Sequence, residues 1–218
     1  MATDASSSSR LDAIVLLGSF NPLILDPNWL LQHGIIGEFD LEHVQETGNW
    51  IATRDIAAMQ FRTFSLQADR DRVQVAMTQE AETPLLLADV AVNTFRLLAH
   101  TPIHAVGLNH SSHRALHEGR GEEILDRLAP AEAVRGLLPG IAVNSVNWRA
   151  DRPDDYAGQL LLSVQPSVQV TGLFFSLNDH FDLGEGGSGQ SSADLVADEW
   201  QESLRRADEL FDRVLELP

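Results

Sequence analysis

The feature that most constrains the fold is a stripe of apolar residues near the C-terminus. Val196, Trp200, Leu204, Ala207, Phe211 and Val214 recur at helical spacing, which predicts one buried face on a helix from about Ala193 to Leu217. Burying a large apolar side chain contributes roughly 1.5–3 kcal/mol, so a helix carrying such a stripe belongs to the core. Ser191 and Asp194 are placed to form a capping box at its start.

Three further helices are predicted. Asp26-Pro27 pairs an N-cap with proline at the first helical position, ahead of Leu30, Leu31 and Ile35. Thr83-Pro84 repeats the device ahead of Leu87, Val90, Ala91 and Phe95, and Pro102 closes that segment. Residues Glu122–Leu138 form the third, with Pro130 kinking or dividing it. Strand patterns alternate with these helices. Ala13–Phe20 and Ile103–His110 read as short buried strands. Arg72–Thr78 puts Val73, Val75 and Met77 on one face and Gln74 on the other. Met59–Gln67 changes phase between Phe61 and Phe64, which predicts a bulge. Asp69-Arg70-Asp71 then joins this strand to the next as a hairpin. Val143–Arg149, Gln159–Gln165 and Val168–Leu177 form a meander with turns at Pro153-Asp154-Asp155 and Pro166-Ser167.

The resulting expectation is an α+β fold: a single curved, mainly antiparallel sheet with long helices on one face. Residues 1–9 form a disordered tail and 10–218 a single domain. The order strand, helix, strands, helix occurs twice, so the domain divides into possible repeat halves, 11–99 and 100–217. In layout this resembles the saddle of TATA-binding-like folds. Architecture of that kind carries no function by itself.

Charge narrows the function classes. Asp and Glu total 32 against 15 basic residues, a formal net charge of −17, and a field of that sign repels nucleic acid and anionic membranes. Every basic residue is arginine. The absence of lysine excludes Schiff-base chemistry and the phosphate-binding lysine of a P-loop. The absence of cysteine excludes disulfides and thiolate chemistry and fits a reducing compartment, so the expected location is cytoplasmic. No apolar run approaches the roughly 20 residues of a membrane helix.

Histidines supply the main candidate chemistry. His100, His104, His110, His113 and His117 crowd one segment, and His104 and His110 share strand parity. His113 and His117 have i,i+4 spacing for a helical turn, with Glu118 or Asp179 available as a carboxylate. His104, His110, His113 and His117 are thus the candidate ligands of a metal-dependent hydrolase or oxygenase. The segment lacks the glutamate of a His-Glu-x-x-His helix. Gly184–Gly189 matches G-x-G-x-x-G, but the following parallel strand of a dinucleotide site is missing, so the segment reads as a flexible linker. Gly-x-Ser-x-Gly is absent, and Asp179 and His180, adjacent on a strand, point to opposite faces.

Arginines on the strands lead elsewhere. The last helix holds eight acidic residues against three arginines, whereas Arg62, Arg149, Gln60, Gln74 and Asn147 lie on or beside strands. These five residues define a candidate binding face for a protein partner. The leading expectation is a non-catalytic interaction, assembly or neutralising subunit with no cofactor, no nucleic acid and no membrane partner. The alternatives are the metal enzyme and a small-ligand-binding domain with its ligand between sheet and helices. Oligomeric state stays open.

Overall fold

The computed structural model describes residues 9–81, 85–130, 134 and 140–217. Nine strands form one open antiparallel sheet, accompanied by five α-helices among the described residues. In chain order the elements are β1 (Ser9–Gly18), α1 (Pro27–Gln32), α2 (Glu38–Thr47), β2 (Trp50–Ala52), β3 (Ala57–Gln60), β4 (Phe64–Ala68), β5 (Arg72–Met77) and α3 (Leu85–Leu97). Then follow β6 (Ile103–Ala115), α4 (Arg120–Leu128), β7 (Val146–Asp151), β8 (Gly158–Pro166), β9 (Gly172–Asp182) and α5 (Gly189–Leu215). The spatial strand order is β2-β3-β4-β5-β1-β6-β9-β8-β7. Among the described residues no helix is long and apolar enough to cross a membrane.

Local chemistry accounts for the helix starts. Asp26 Oδ1 accepts from the N–H groups of Asn28 and Trp29 at 2.9 and 3.2 Å, and Pro27 opens α1. The start of α5 departs from expectation. Ser188, not Ser191, is the N-cap, and Ser191 closes the box by accepting from the Ser188 N–H at 2.8 Å. Trp200, Leu204, Ala207 and Phe211 are buried along that helix as the stripe requires. The Thr83-Pro84 cap and most of 131–139 lie outside the described residues, and α4 ends at Leu128, ahead of Pro130.

Two strand expectations are corrected. Met59–Gln67 is not one bulged strand: β3 and β4 are antiparallel partners that reverse through Phe61-Arg62-Thr63. Phe61 and Phe64 both enter the core from the two sides of that turn, their rings stacked at 4.4 Å, which produced the phase change. Ser9, placed in the tail, is the first residue of β1, where it pairs with His113.

The Gly184–Gly189 segment is also not a slack linker. Gly187 accepts from the Ile103 N–H, Gly189 donates to Thr101 O, and Ser188 bridges Pro102. A Cβ at Gly187 would sit 2.0 Å from Ile103 O, and one at Gly189 2.2 Å from Leu98 O. These glycines let two backbones meet closely.

Register decides which residues share a face. Leu66, Val75, Ile14, Leu108 and Asp179 are successive cross-strand partners, as are Val73, Leu16, Val106 and Phe181. These residues are buried, and Ile14, Val75 and Leu108 share a core cluster with Val90, Phe95, Val196 and Trp200 of α3 and α5. A smaller cluster joins Phe175 and Leu177 of β9 to Ile124 of α4 and Phe211 of α5.

Candidate functional site

Residues one position along each strand take the other face. One cross-strand row there runs Gln60, Ser65, Ala76, Ala13, Asn109, Asn178, Leu161, Arg149, one residue from each of eight strands. A parallel row runs Ala58, Gln67, Gln74, Val15, Gly107, His180, Gln159, Asp151, ending on an exposed carboxylate. On the opposite side of the first, Leu11, Ser111, Ser176, Ser163 and Asn147 form a third. Amides, hydroxyls and small aliphatic groups therefore dominate this face.

Two adjoining hollows lie on it, both touching Leu11 and Met77. The first, about 800 Å³, brings Gln74, Asn147 and Arg149 together with Ala13, Leu161 and Phe174. The second, about 770 Å³, takes Gln60 and Arg62 with Trp50 and Gln67. The five residues singled out on the strands thus divide between two neighbouring hollows. Arg62 belongs to the β3–β4 turn, where its carbonyl accepts from the Thr78 hydroxyl. Neither Arg62 nor Arg149 is ion-paired among the described residues, a state shared with Arg54, Arg72 and Arg213, whereas Arg10, Arg70, Arg152, Arg205 and Arg206 meet carboxylates. Between the arginines, Asn178 Nδ2 donates to Asn109 Oδ1 at 2.6 Å, and Asn109 Nδ2 to Gly107 O at 3.1 Å. Asn178 Oδ1 is buried without a hydrogen-bond partner among the described residues.

The histidines diverge. β6 extends to Ala115, so His113 lies on a strand, and the helical i,i+4 pairing with His117, in the turn beyond, does not form. His110 and His113, three residues apart on that strand, point to opposite faces. His104 is exposed and six residues from His110, roughly 20 Å along the strand. His113 contacts Ser167 Oγ through Nδ1 at 2.8 Å and packs on Phe174, and burial pushes its pKa down. Asp179 is held by Arg152 and Arg206 instead. Among the described residues no group of three or more His, Asp or Glu side chains is arranged to hold a metal ion.

His110 belongs to a chain that sequence reasoning missed. Its Nδ1 meets Asp12 Oδ1 at 2.7 Å and its Nε2 meets Ser203 Oγ at 2.8 Å. The order is that of a serine-hydrolase triad. All three residues are buried, and Ser203 sits within α5. A nucleophile needs a substrate carbonyl within reach, and Ser203, fully buried within the core, is closed to one. The signal was available: Ser203 is a polar residue on the apolar stripe between Trp200 and Ala207.

A second buried network joins β9 to α5. Arg152 meets both Asp179 and Asp154, Arg206 meets Asp179, and the Arg152 guanidinium lies 3.6 Å from the Phe181 ring centre. The hydrogen bond from Arg152 holds the Asp154 carboxyl below the usual aspartate range, while burial, reinforced by Asp154, raises that of Glu199. Compared with known proteins, the chain matches no family model and no curated protein.

Proposed function

We propose that the protein is a non-catalytic interaction subunit, working in the cytoplasm, that binds a protein partner with the sheet face bearing Gln60, Gln74, Asn147 and Arg149, with Arg62 at its margin. The observation that carries this reading is the uninterrupted row from Gln60 to Arg149. It spans seven strand spacings, roughly 34 Å, the scale of a standard protein interface of about 800 Å² per partner. Its polar groups are mainly uncharged, and unpaired arginines stand near each end, suited to bidentate contacts with partner carboxylates.

Two inferences about layout support the face as free. The long helices α3 and α5 are inferred to lie together on the Ile14 side, since their apolar residues share its cluster. The halves 11–99 and 100–217 are inferred to be duplicates. Strand order supports this, because β3-β4-β5-β1 leads inward as β6-β9-β8-β7 leads outward.

The test is affinity capture from cells of origin, paired with elemental analysis of the same preparation. Wild-type protein is expected to retain a partner whose recovery falls with added salt, because a net charge of −17 favours a basic partner surface. Arg62→Ala with Arg149→Ala is expected to lose that partner with an unchanged melting temperature, since exposed charges contribute little to stability. A stoichiometric metal lost on changing His110 or His113, with no partner recovered, would replace this reading with the enzyme. A small-ligand reading, with the ligand on the exposed sheet face rather than between sheet and helices, is favoured by one observation, the 800 Å³ hollow, a volume typical of ligand sites.

A further inference from the structure

We infer that the hollow at Arg149 is a binding site for a small amphipathic carboxylate, with the acid on the guanidinium and the apolar body along the sheet towards β1. This goes beyond the partner reading, sharing with it the unpaired Arg149 and adding the apolar lining beside it.

The first is electrostatic. In a chain with a net charge of −17, the hollow is lined by only two charged side chains among the described residues, Asp12 and Arg149. The Asp12 side chain is fully buried on the other side of the sheet, between Arg10 and His110. That leaves Arg149 as the exposed charge, without an ion-pair partner among the described residues. A cation kept unpaired in so acidic a molecule, at the rim of a concavity, complements an anion.

The second observation is apolar surface with no structural use. Leu161, directly across from Arg149 in the β7–β8 pair, is 38% exposed. Phe174, Ala13 and Ala76 continue the apolar lining away from the guanidinium. Exposed apolar groups next to one free cation match a ligand with one anionic end. A neutral or cationic ligand of the same shape would leave Arg149 unused or repel it.

Calorimetric titration of the purified protein with three probes sharing one chain tests this: decanoate, decanol and decyltrimethylammonium. Decanoate is expected to saturate at one per chain. Decanol should bind about tenfold more weakly, the scale of a lost charge-assisted hydrogen bond, and decyltrimethylammonium should show no saturable heat. Arg149→Gln should bring decanoate down to the level of decanol, Leu161→Glu should abolish decanoate binding, and Arg213→Gln on the exposed side of α5 should change nothing. Equal binding of decanoate and decanol, non-saturating heats, or decanoate binding unchanged in Arg149→Gln would each overturn the assignment. Because no partner is present, failure here leaves the partner reading standing. Failure of partner capture, conversely, leaves these titrations unaffected.

Discussion

Asp179→Ala is expected to be strongly destabilising. The carboxylate is fully buried, and the side chains of Arg152 and Arg206 that meet it are 1% and 12% exposed. Removing it leaves the Arg152 guanidinium buried with Asp154 as its one remaining carboxylate among the described residues, and Arg206 with the same group at 3.4 Å and Glu202 at 3.7 Å. Breaking a buried pair from one side costs about 3–5 kcal/mol, because a desolvated charge is left uncompensated. Part of the damage is geometric. Asp179 ties β9 to the segment after β7, which holds Arg152 and Asp154, and to α5 through Arg206. For a chain of this size a loss of that magnitude lowers the melting temperature by roughly 6–20 °C.

Urea unfolding at neutral pH, followed by far-ultraviolet circular dichroism, measures the change directly. Arg205→Ala is the control, since its pairs with Glu202 and Glu209 lie on the exposed side of α5, and it should leave the midpoint unmoved. A loss below about 1 kcal/mol for Asp179→Ala, within the range of an exposed pair, would refute the claim that these charges are desolvated and interdependent.

Glycine substitutions separate packing from ligand binding in the G-x-G-x-x-G segment. Gly187→Ala should destabilise by about 1–3 kcal/mol through overpacking against Ile103, whereas Gly186→Ala, with nothing within 4 Å of its added carbon, should be near neutral by thermal melting. Acid sensitivity provides the other test. Asp154 titrates below its ordinary 3.8 in the folded state because Arg152 donates to it, so its stabilisation is present above pH 3.8 and lost as pH falls through the lower folded value. Arg152→Gln should flatten that acid limb in melting curves recorded across pH 2–5 (roughly the aspartate range), and an unchanged limb would place the titration elsewhere.

The parts of the fold legible in the sequence are those fixed by local periodicity. Val73, Val75 and Met77 alternate as β5 requires, and Trp200, Leu204 and Phe211 follow the helical period of α5. What stayed hidden depends on contacts distant in the chain. Phe61 and Phe64 look like a broken alternation until the chain reverses between them. The glycines at 187 and 189 look like slack until the backbone at 98–103 is brought against them. His113 looks helical relative to His117 because nothing local says that β6 continues to Ala115, where β9 pairs with it throughout. The candidate face divides in the same way. Period two assigns Gln74 and Arg149 each to a side of its own strand, but that Arg149 ends a row beginning at Gln60 follows only from strand order.

That row depends on the register of one pair, β1 with β6, the central strands of the sheet, and the buried Asp12–His110–Ser203 chain holds it. Ala13 lies opposite Asn109, and Asp12 opposite His110, so the two pairs are adjacent steps of one ladder on opposite faces. Strand slippage by two residues would keep every apolar side chain on its proper face, so hydrophobic alternation alone does not forbid it. The same slip would separate Asp12 from His110, leaving the buried imidazole nitrogen without its partner and Asp12 with Arg10 alone. A buried polar group left without its hydrogen bond costs about 1–3 kcal/mol, more than a mismatched aliphatic pair. Ser203 adds a constraint from a third element, since its hydroxyl reaches the other imidazole nitrogen only with α5 docked at this height on β6. The resemblance to a catalytic triad then has a plain physical origin: aspartate, histidine and serine are acceptor, two-ended bridge and hydroxyl, a set that satisfies its own hydrogen bonds in a core. Buried polarity on the helix side thereby sets which amides and arginines stand in line on the exposed side.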